Sequence, residues 1–275
     1  MHWVIDRSLG RRNALGQGGE AGYESLIAAL EHSQTPYTLV RKIPFSGDLI
    51  DPDDTSPDPQ PITLDIEGPV FVCGTMAMAN TARHYGWSPG YIDAPDQQQL
   101  IEAWGHHMLN YEARIGKFSE IVPPAAHFFA RPVDDSKSIA GTVFEREQFE
   151  EWRERVMRVQ GSDTTIKADD LFMMAPIRKI FAEYRLYVMD GKIATGSRYK
   201  LGSRVFYTTD LDPAMLDYAR ARIAEFCPRR ALCLDIAHIE GDEPYKVIET
   251  NAISSAGFYA CDMQIFVNSI NGMYG

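Results

Sequence analysis

Apolar positions along the chain come in short runs separated by polar, proline- and glycine-containing stretches, and their spacing predicts a mixed α/β protein. Val4-Ile5-Asp6 predicts a first strand. Gly22 to His32 predicts a helix with Leu26, Ile27 and Leu30 on one side, and Tyr37 to Val40 a second strand. This strand–helix–strand opening implies an α/β layer. From Asp48 to Pro61, Asp48, Asp51, Asp53, Asp54 and Asp58 sit among Pro52, Pro57, Pro59 and Pro61, the composition of an exposed loop. Pro69 to Thr75 reads as a buried strand ended by Gly74, with a helix through Ala77 to Tyr85 after it. Gln97 to Leu109 predicts a further helix, and Ser88-Pro89-Gly90 the boundary of an N-terminal domain.

Ala126 to Arg131 is an apolar strand stopped by Pro132, and Gly141-Thr142-Val143-Phe144 resumes as its partner beyond the polar stretch 134–138. Glu145 to Gln160 is an amphipathic helix with Phe149, Trp152, Val156 and Val159 at helical spacing, ended by Gly161. Leu171 to Ala175 is a short apolar strand broken by Pro176.

Two hairpins follow. Glu183–Met189 and Lys192–Lys200 meet at Asp190-Gly191, a strong signal for a type I′ turn. A two-residue loop pairs Met189 with Lys192, which sets Arg185 opposite Gly196 and Glu183 opposite Arg198. Side chains alternate between faces, so one face collects Glu183, Arg185, Tyr187, Arg198 and Lys200, and Gly196 leaves room opposite Arg185 for a ligand. A solvated outer face is the plainer reading of that pattern. In the second hairpin, the strand Ala231 to Glu240 turns at Gly241-Asp242-Glu243-Pro244 and returns as Tyr245 to Asn251. Asp235 interrupts an apolar alternation, and a carboxylate there is costly unless paired or metal-bound. A three-residue loop sets Asp235 opposite Glu249 or Asn251. All three then share one face and offer the oxygen-rich donor set that suits Mg²⁺.

Composition narrows the function. The net charge of −11 disfavours nucleic acid as a partner, because nonspecific binders usually present a basic surface. No apolar run approaches the ~20 residues that cross a bilayer, and residues 1–7 lack the pattern of a secretory leader. A cytoplasmic protein with no membrane association is expected, with a homodimer as the default assembly. Cys73, Cys227, Cys233 and Cys261 form no C-x-x-C pair, so neither a zinc nor a redox motif is signalled.

The ordered set Phe128-Phe129-Ala130-Arg131-Pro132, Lys137, Glu183-Tyr184-Arg185, Arg198-Tyr199-Lys200, Leu234-Asp235-Ile236 and Val247-Ile248-Glu249-Thr250-Asn251 resembles the ATP-grasp superfamily over roughly residues 120–265. It is most similar to small phage and bacterial members of unassigned substrate. The resemblance implies two α+β lobes enclosing ATP, over 91–175 and 176–275, after an N-terminal α/β domain at 1–90. It implies ATP and Mg²⁺, or Mn²⁺, as cofactors. Asp235, Glu249 and Asn251 match the metal ligands. Arg131, at a position where many members have lysine, and Lys137 match phosphate contacts. Met174, Ala175, Pro176 and Ile177 match the adenine hinge, and Glu183 the ribose acceptor. Arg185, Arg198 and Lys200 would face the phosphates or an acyl phosphate, and Ser254, Ser255 and Gly257 follow where relatives place substrate contacts. The implied reaction is ATP-dependent ligation of a small-molecule or peptide carboxylate to an amine. A phosphotransferase, or a catalytically inactive nucleotide-binding module, are the alternatives.

Overall fold

The computed structural model describes residues 1–10, 20–43, 47–133, 141–159 and 165–275. The chain divides into two compact units, one formed by Met1–Gly105 with Ile180–Gly275 and the other by His106–Lys179.

The first unit opens with β1 (His2–Asp6), α1 (Glu20–His32), β2 (Tyr37–Lys42), β3 (Leu49–Ile50), β4 (Val70–Cys73), α2 (Met78–Tyr85), β5 (Pro89–Gly90) and α3 (Gln97–Trp104). These strands form one sheet in the order β3-β2-β1-β4-β5. β1 runs parallel to β2 and β4, and β4 to β5, while β3 is antiparallel to β2. The central strands are apolar at nearly every position because both faces are covered. Trp3, Ile5 and Phe71 join a core with α1, and Val4, Val70 and Val72 join another with Met78 and Ala82 of α2.

Three expectations change here. The Asp/Pro-rich stretch is not wholly loop, since buried Leu49 and Ile50 pair with Lys42 and Arg41. The helix expected to reach Leu109 stops at Trp104, where Gly105 takes φ 45° and a short 3₁₀ turn follows. Pro89-Gly90 of the stretch expected as a boundary forms β5, the edge strand of the first sheet, and the first unit runs on to Gly105.

The second unit holds β6 (Arg114–Lys117), β7 (His127–Pro132), β8 (Thr142–Glu145), α4 (Arg146–Arg158) and β9 (Leu171–Ala175). Its antiparallel sheet has the order β6-β9-β7-β8. Phe118, Phe128, Phe149, Phe172 and Met174 fill its core, with Trp152 and Val156 packed against them. Val159, expected on the buried stripe, is exposed, because the helix has ended and Val159 is its C-cap.

The first unit resumes with β10 (Ile180–Met189), β11 (Lys192–Leu201), β12 (Arg204–Thr208), α5 (Pro213–Glu225), β13 (Ala231–Ile239), β14 (Tyr245–Asn251) and α6 (Met263–Tyr274). The five strands form an antiparallel sheet in the order β12-β11-β10-β13-β14. α5 begins with Asp212 capping Ala214 N–H and Pro213 in the first turn, and it packs on β11 and β13. α6 packs on β10, β11 and α1. Phe266, Val267 and Ile270 of α6 lie in one core with Trp3, Ile5 and Phe71 of the first sheet and with Tyr187 and Cys233 of this one. Trp3 Nε1 donates to Asn271 Oδ1 at 2.9 Å, and Asn271 Nδ2 donates to Thr35 Oγ1 at 2.8 Å. Among the described residues, no helix is long and apolar enough to cross a membrane.

Candidate functional site

The β10–β11 hairpin turns at Asp190-Gly191 with φ of 45° and 72°, the left-handed pair a type I′ turn requires, and Met189 pairs with Lys192 as expected. Beyond that point two irregularities reset the register. Val188 pairs with Ile193 but Tyr187 with Thr195, and Tyr184 pairs with Arg198 but Glu183 with Lys200. β11 thus carries an extra residue at Ala194 and another at Tyr199, each a β-bulge. Arg185 faces Ser197 and Glu183 faces Lys200.

Arg198 is therefore not on the face of Glu183 and Arg185, as the unbulged register had it. It shares the opposite face with Tyr184, and its guanidinium lies 5.3 Å from the Phe206 ring. Gly196 also changes sides and faces Leu186. A Cβ there would lie 2.6 Å from Leu186 Cδ2 and 3.1 Å from Leu211 Cδ1, so core packing fills the space expected for a ligand.

On the first face, the bulge at Tyr199 directs two neighbouring side chains to one carboxylate. Tyr199 Oη donates to Glu183 Oε2 at 2.8 Å, and Lys200 Nζ to Oε1 at 2.6 Å. Burial, then the charges of Asp235 and Glu183, push the Tyr199 phenol far above its ordinary range.

Next to this group, Arg185 and Asp235 are paired across β10 and β13. Arg185 Nε donates to Asp235 Oδ1 at 2.9 Å and Nη2 to Oδ2 at 2.7 Å, and the two side chains are only 9% and 2% exposed. Burial works against the Arg185 charge, but the Asp235 carboxylate overrides it and raises the guanidinium pKa well above its usual value. A third donor, Nη1, reaches the Gly257 carbonyl at 3.3 Å. Tyr259 and Tyr199 close over the guanidinium, with ring centroids 4.9 and 5.7 Å from Cζ. Tyr259 stacks on Tyr199 at 4.7 Å and meets Tyr207 at 5.2 Å. It does so from a backbone φ of 53°, costly for a bulky side chain and sustained by these contacts.

The second hairpin assembles the other acidic residues. Asp235 pairs with Glu249, and Cys233 with Asn251, so Asp235, Glu249 and Asn251 share a face. Asn251 Nδ2 donates to Asp235 Oδ2 at 3.1 Å and to Glu249 Oε1 at 3.3 Å. A half-turn of the Asn251 amide replaces its N–H donor with its carbonyl oxygen. The three residues then present two carboxylates and an amide oxygen, a donor set that fits a hard divalent cation.

The segment after Asn251 ties this sheet to the first one. Gly74 N–H donates to the Ser254 carbonyl at 2.8 Å, and Ile92 N–H to Ser254 Oγ at 2.9 Å. Ser254 is fully buried, so its side chain holds the segment in place and is not presented to solvent. Ser255 is half-buried. Gly257 gives its carbonyl to Arg185 and to the Tyr187 hydroxyl.

The remaining sequence-derived residues belong to the second unit. Arg131 on β7 pairs with Met173, and Phe129 with Ala175. This places Arg131, Met173 and Ala175 on the sheet face opposite Met174, whose side chain is in the aromatic core. Met174 therefore has only its backbone to offer a ligand. Pro176 is half-buried and Ile177 exposed. Lys137 lies outside the described residues. The sequence reading did not single out Tyr199, Tyr207 or Tyr259. Tyr199 sat inside the Arg198-Tyr199-Lys200 run, but only the bulge gives it its direction.

A family model described as an ATP-grasp domain, the second family of its clade, matches residues 112–269. No curated protein matches the sequence. Among solved structures, the chain is similar to D-cycloserine synthetase DcsG, with 12% identity, full coverage of both chains and a TM-score of 0.58. It is similar to a RimK domain ATP-grasp protein from Sphaerobacter thermophilus, with 13% identity, 97% and 98% coverage and a TM-score of 0.57. It is also similar to the D-alanine-D-alanine ligase of Coxiella burnetii, with 16% identity, 98% and 90% coverage and a TM-score of 0.61. At these identities the likeness is one of fold.

Proposed function

The chain belongs to this ATP-grasp domain family and has the ATP-grasp fold; from that premise we propose that it is an ATP- and Mg²⁺-dependent ligase joining a carboxylate to an amine. The observation that carries this reading is the convergence of Asp235, Glu249 and Asn251 on one sheet face beside a buried guanidinium and the Glu183–Lys200 pair.

In the proposed reaction, a substrate carboxylate oxygen attacks the γ-phosphorus of ATP and ADP leaves. The amine then attacks the acyl carbon, and phosphate leaves with the carboxylate's oxygen. Asp235, Glu249 and Asn251 would hold the metal, with Mn²⁺ able to substitute. When bound, the metal neutralises charge on the phosphate oxygens. Lys200 offers its ammonium to transferring phosphoryl oxygens, and Glu183 would accept hydrogen bonds from the ribose hydroxyls. Arg185, committed to Asp235 on two donors, acts through that carboxylate by fixing its direction. Arg131, Lys137 and the Met174–Ile177 stretch are proposed nucleotide contacts of the second unit. No protein nucleophile is required, so positioning and electrostatics supply most of the rate.

Calorimetric titration of Mg–ATP into wild type and Glu249→Gln tests the site. Metal-dependent binding that the substitution abolishes supports it, and equal binding in both removes Glu249 from the role. ¹⁸O carried from the acid substrate into phosphate marks the acyl-phosphate route, whereas phosphorylation without that transfer indicates a phosphotransferase.

A further inference from the structure

The Glu183 carboxylate is held by two donors of different kinds. Tyr199 Oη donates to Oε2 at 2.8 Å, and Lys200 Nζ to Oε1 at 2.6 Å. The Glu183 side chain is only 13% exposed, so few other groups can reach it. Consecutive residues of a strand normally point to opposite faces. Tyr199 and Lys200 reach one carboxylate together because the bulge at Tyr199 interrupts that alternation.

The two donors differ in mobility. Lys200 carries its ammonium on a flexible four-carbon stem, and its side chain is 40% exposed. In the proposed reaction that ammonium is needed at the phosphates. Tyr199 has a rigid ring, stacked on Tyr259 at 4.7 Å and lying against the Arg185 guanidinium at 5.7 Å. The guanidinium is fixed in turn by Asp235 and the Gly257 carbonyl. The Tyr199 phenol is therefore held in place from several sides, and its hydroxyl meets Glu183. An ionised carboxylate has about four lone-pair sites on its two oxygens. Tyr199 and Lys200 take one on each oxygen, which leaves one on each for a pair of neighbouring hydroxyl donors.

We propose that Tyr199 is a positioning residue: it aims Glu183 at the two ribose hydroxyls of the nucleotide, and so sets the preference of the site for a ribonucleotide over one that lacks both. The contact with the sugar belongs to Glu183, and Tyr199 supplies its direction. With Tyr199 in place, Lys200 can leave Oε1 for the phosphates without freeing the carboxylate to swing. The inference rests on the nucleotide part of the ligase reading and adds the residue that makes the sugar contact selective.

Calorimetric titration with Mg–ATP and with Mg–2′,3′-dideoxy-ATP tests it, in wild type, Tyr199→Phe and Glu183→Gln. Tyr199→Phe keeps the stacked ring and removes only the donor. Wild type should bind ATP about tenfold more tightly than the dideoxy nucleotide, the scale for hydrogen bonds to a charged acceptor. Tyr199→Phe should lose most of that factor by weakening ATP alone, with the dideoxy nucleotide within about twofold of wild type. Glu183→Gln should lose the preference too. If Glu183→Gln loses it and Tyr199→Phe keeps it, the sugar contact stands and the role of Tyr199 is overturned. Equal weakening of both nucleotides in Tyr199→Phe also overturns it, since a ring that only shapes the cleft would act on both. A wild type that binds the two nucleotides alike removes Glu183 from the sugar and Tyr199 with it. A wild type that binds neither brings down the ligase reading and this inference together.

Discussion

Arg185 grips both carboxylate oxygens of Asp235 across neighbouring antiparallel strands, and both side chains are shut away from water. The pair is one fixed unit, so neither member can be altered independently. Arg185→Leu leaves a buried carboxylate unpaired and should cost about 3–5 kcal/mol of stability. Replacing both with leucine should recover most of that loss, because two apolar side chains need no partner. Urea denaturation of the two variants measures the difference, and equal destabilisation of single and double variants would count against a coupled pair.

The two bulges on β11 give Arg198 and Lys200 different surroundings, although they are two residues apart. With Lys200 on the Glu183 carboxylate and Arg198 on the far face, Lys200→Ala should lower kcat by about a hundredfold, the scale for losing one electrostatic stabiliser. Arg198→Ala should stay within about threefold of wild type in rate, because its half-buried guanidinium lies against Phe206 on the face away from Glu183. Steady-state rates of ATP consumption decide it. A loss at Arg198 equal to that at Lys200 would restore the unbulged register.

Gly196 has no room for a side chain between Leu186 and Leu211. Gly196→Ala should destabilise by about 1–3 kcal/mol through overpacking, read as a lower denaturation midpoint. A neutral result would mean that Leu211 moves aside freely.

Burial pushes the Tyr218 and Tyr259 phenols up to about 12. The folded chain thus favours the neutral phenol. The stability this supplies is complete below the ordinary tyrosine pKa of about 10 and is lost as pH rises toward about 12. Ultraviolet titration of tyrosinate should show these two groups ionising late, together with a falling denaturation midpoint. Ionisation of every tyrosine near the ordinary value, with the fold intact, would contradict the burial.

The four thiols are all free, and only Cys227 is not buried. Burial also raises the Cys261 thiol to about 12. An aromatic disulfide reagent under mildly alkaline conditions should label one thiol per native chain rapidly, and the others only on denaturation. Fast reaction of more than one would show that the core around Cys73, Cys233 and Cys261 opens readily.

Much of this architecture was legible in the sequence because apolar spacing and turn residues act locally. Asp190-Gly191 announced its turn, and Pro176 ended β9 where expected. Asp235 does face Glu249 and share a side with Asn251, but not through the three-residue loop expected: Ile236–Val247, Ala237–Lys246 and His238–Tyr245 set the register of an even-numbered loop, and an extra residue at Ile248 then brings Asp235 opposite Glu249. The bulges were not legible. Ala194 and Tyr199 carry no sequence mark, yet each displaces the pairing by one residue: the bulge at Ala194 turns Arg198 to the far face, and the one at Tyr199 sets Lys200 opposite Glu183. Met174 shows another limit. A short apolar strand reads the same from either side, so only the partner strands reveal that this side chain belongs to the core. Leu49 and Ile50 were hidden by the aspartates and prolines that follow them.

The core that joins Trp3, Phe71 and Phe266 has a bearing on synthesis. A chain emerging from the ribosome with residue 1 leading exposes the apolar face of its first sheet long before α6 exists to cover it. Residues 106–179, whose aromatic core is entirely their own, can close meanwhile. The order of folding then differs from the order of translation: the middle of the chain settles first, and both flanks wait until residue 270 or so has been made. During that interval, Trp3 and Phe71 would offer chaperones their binding surface.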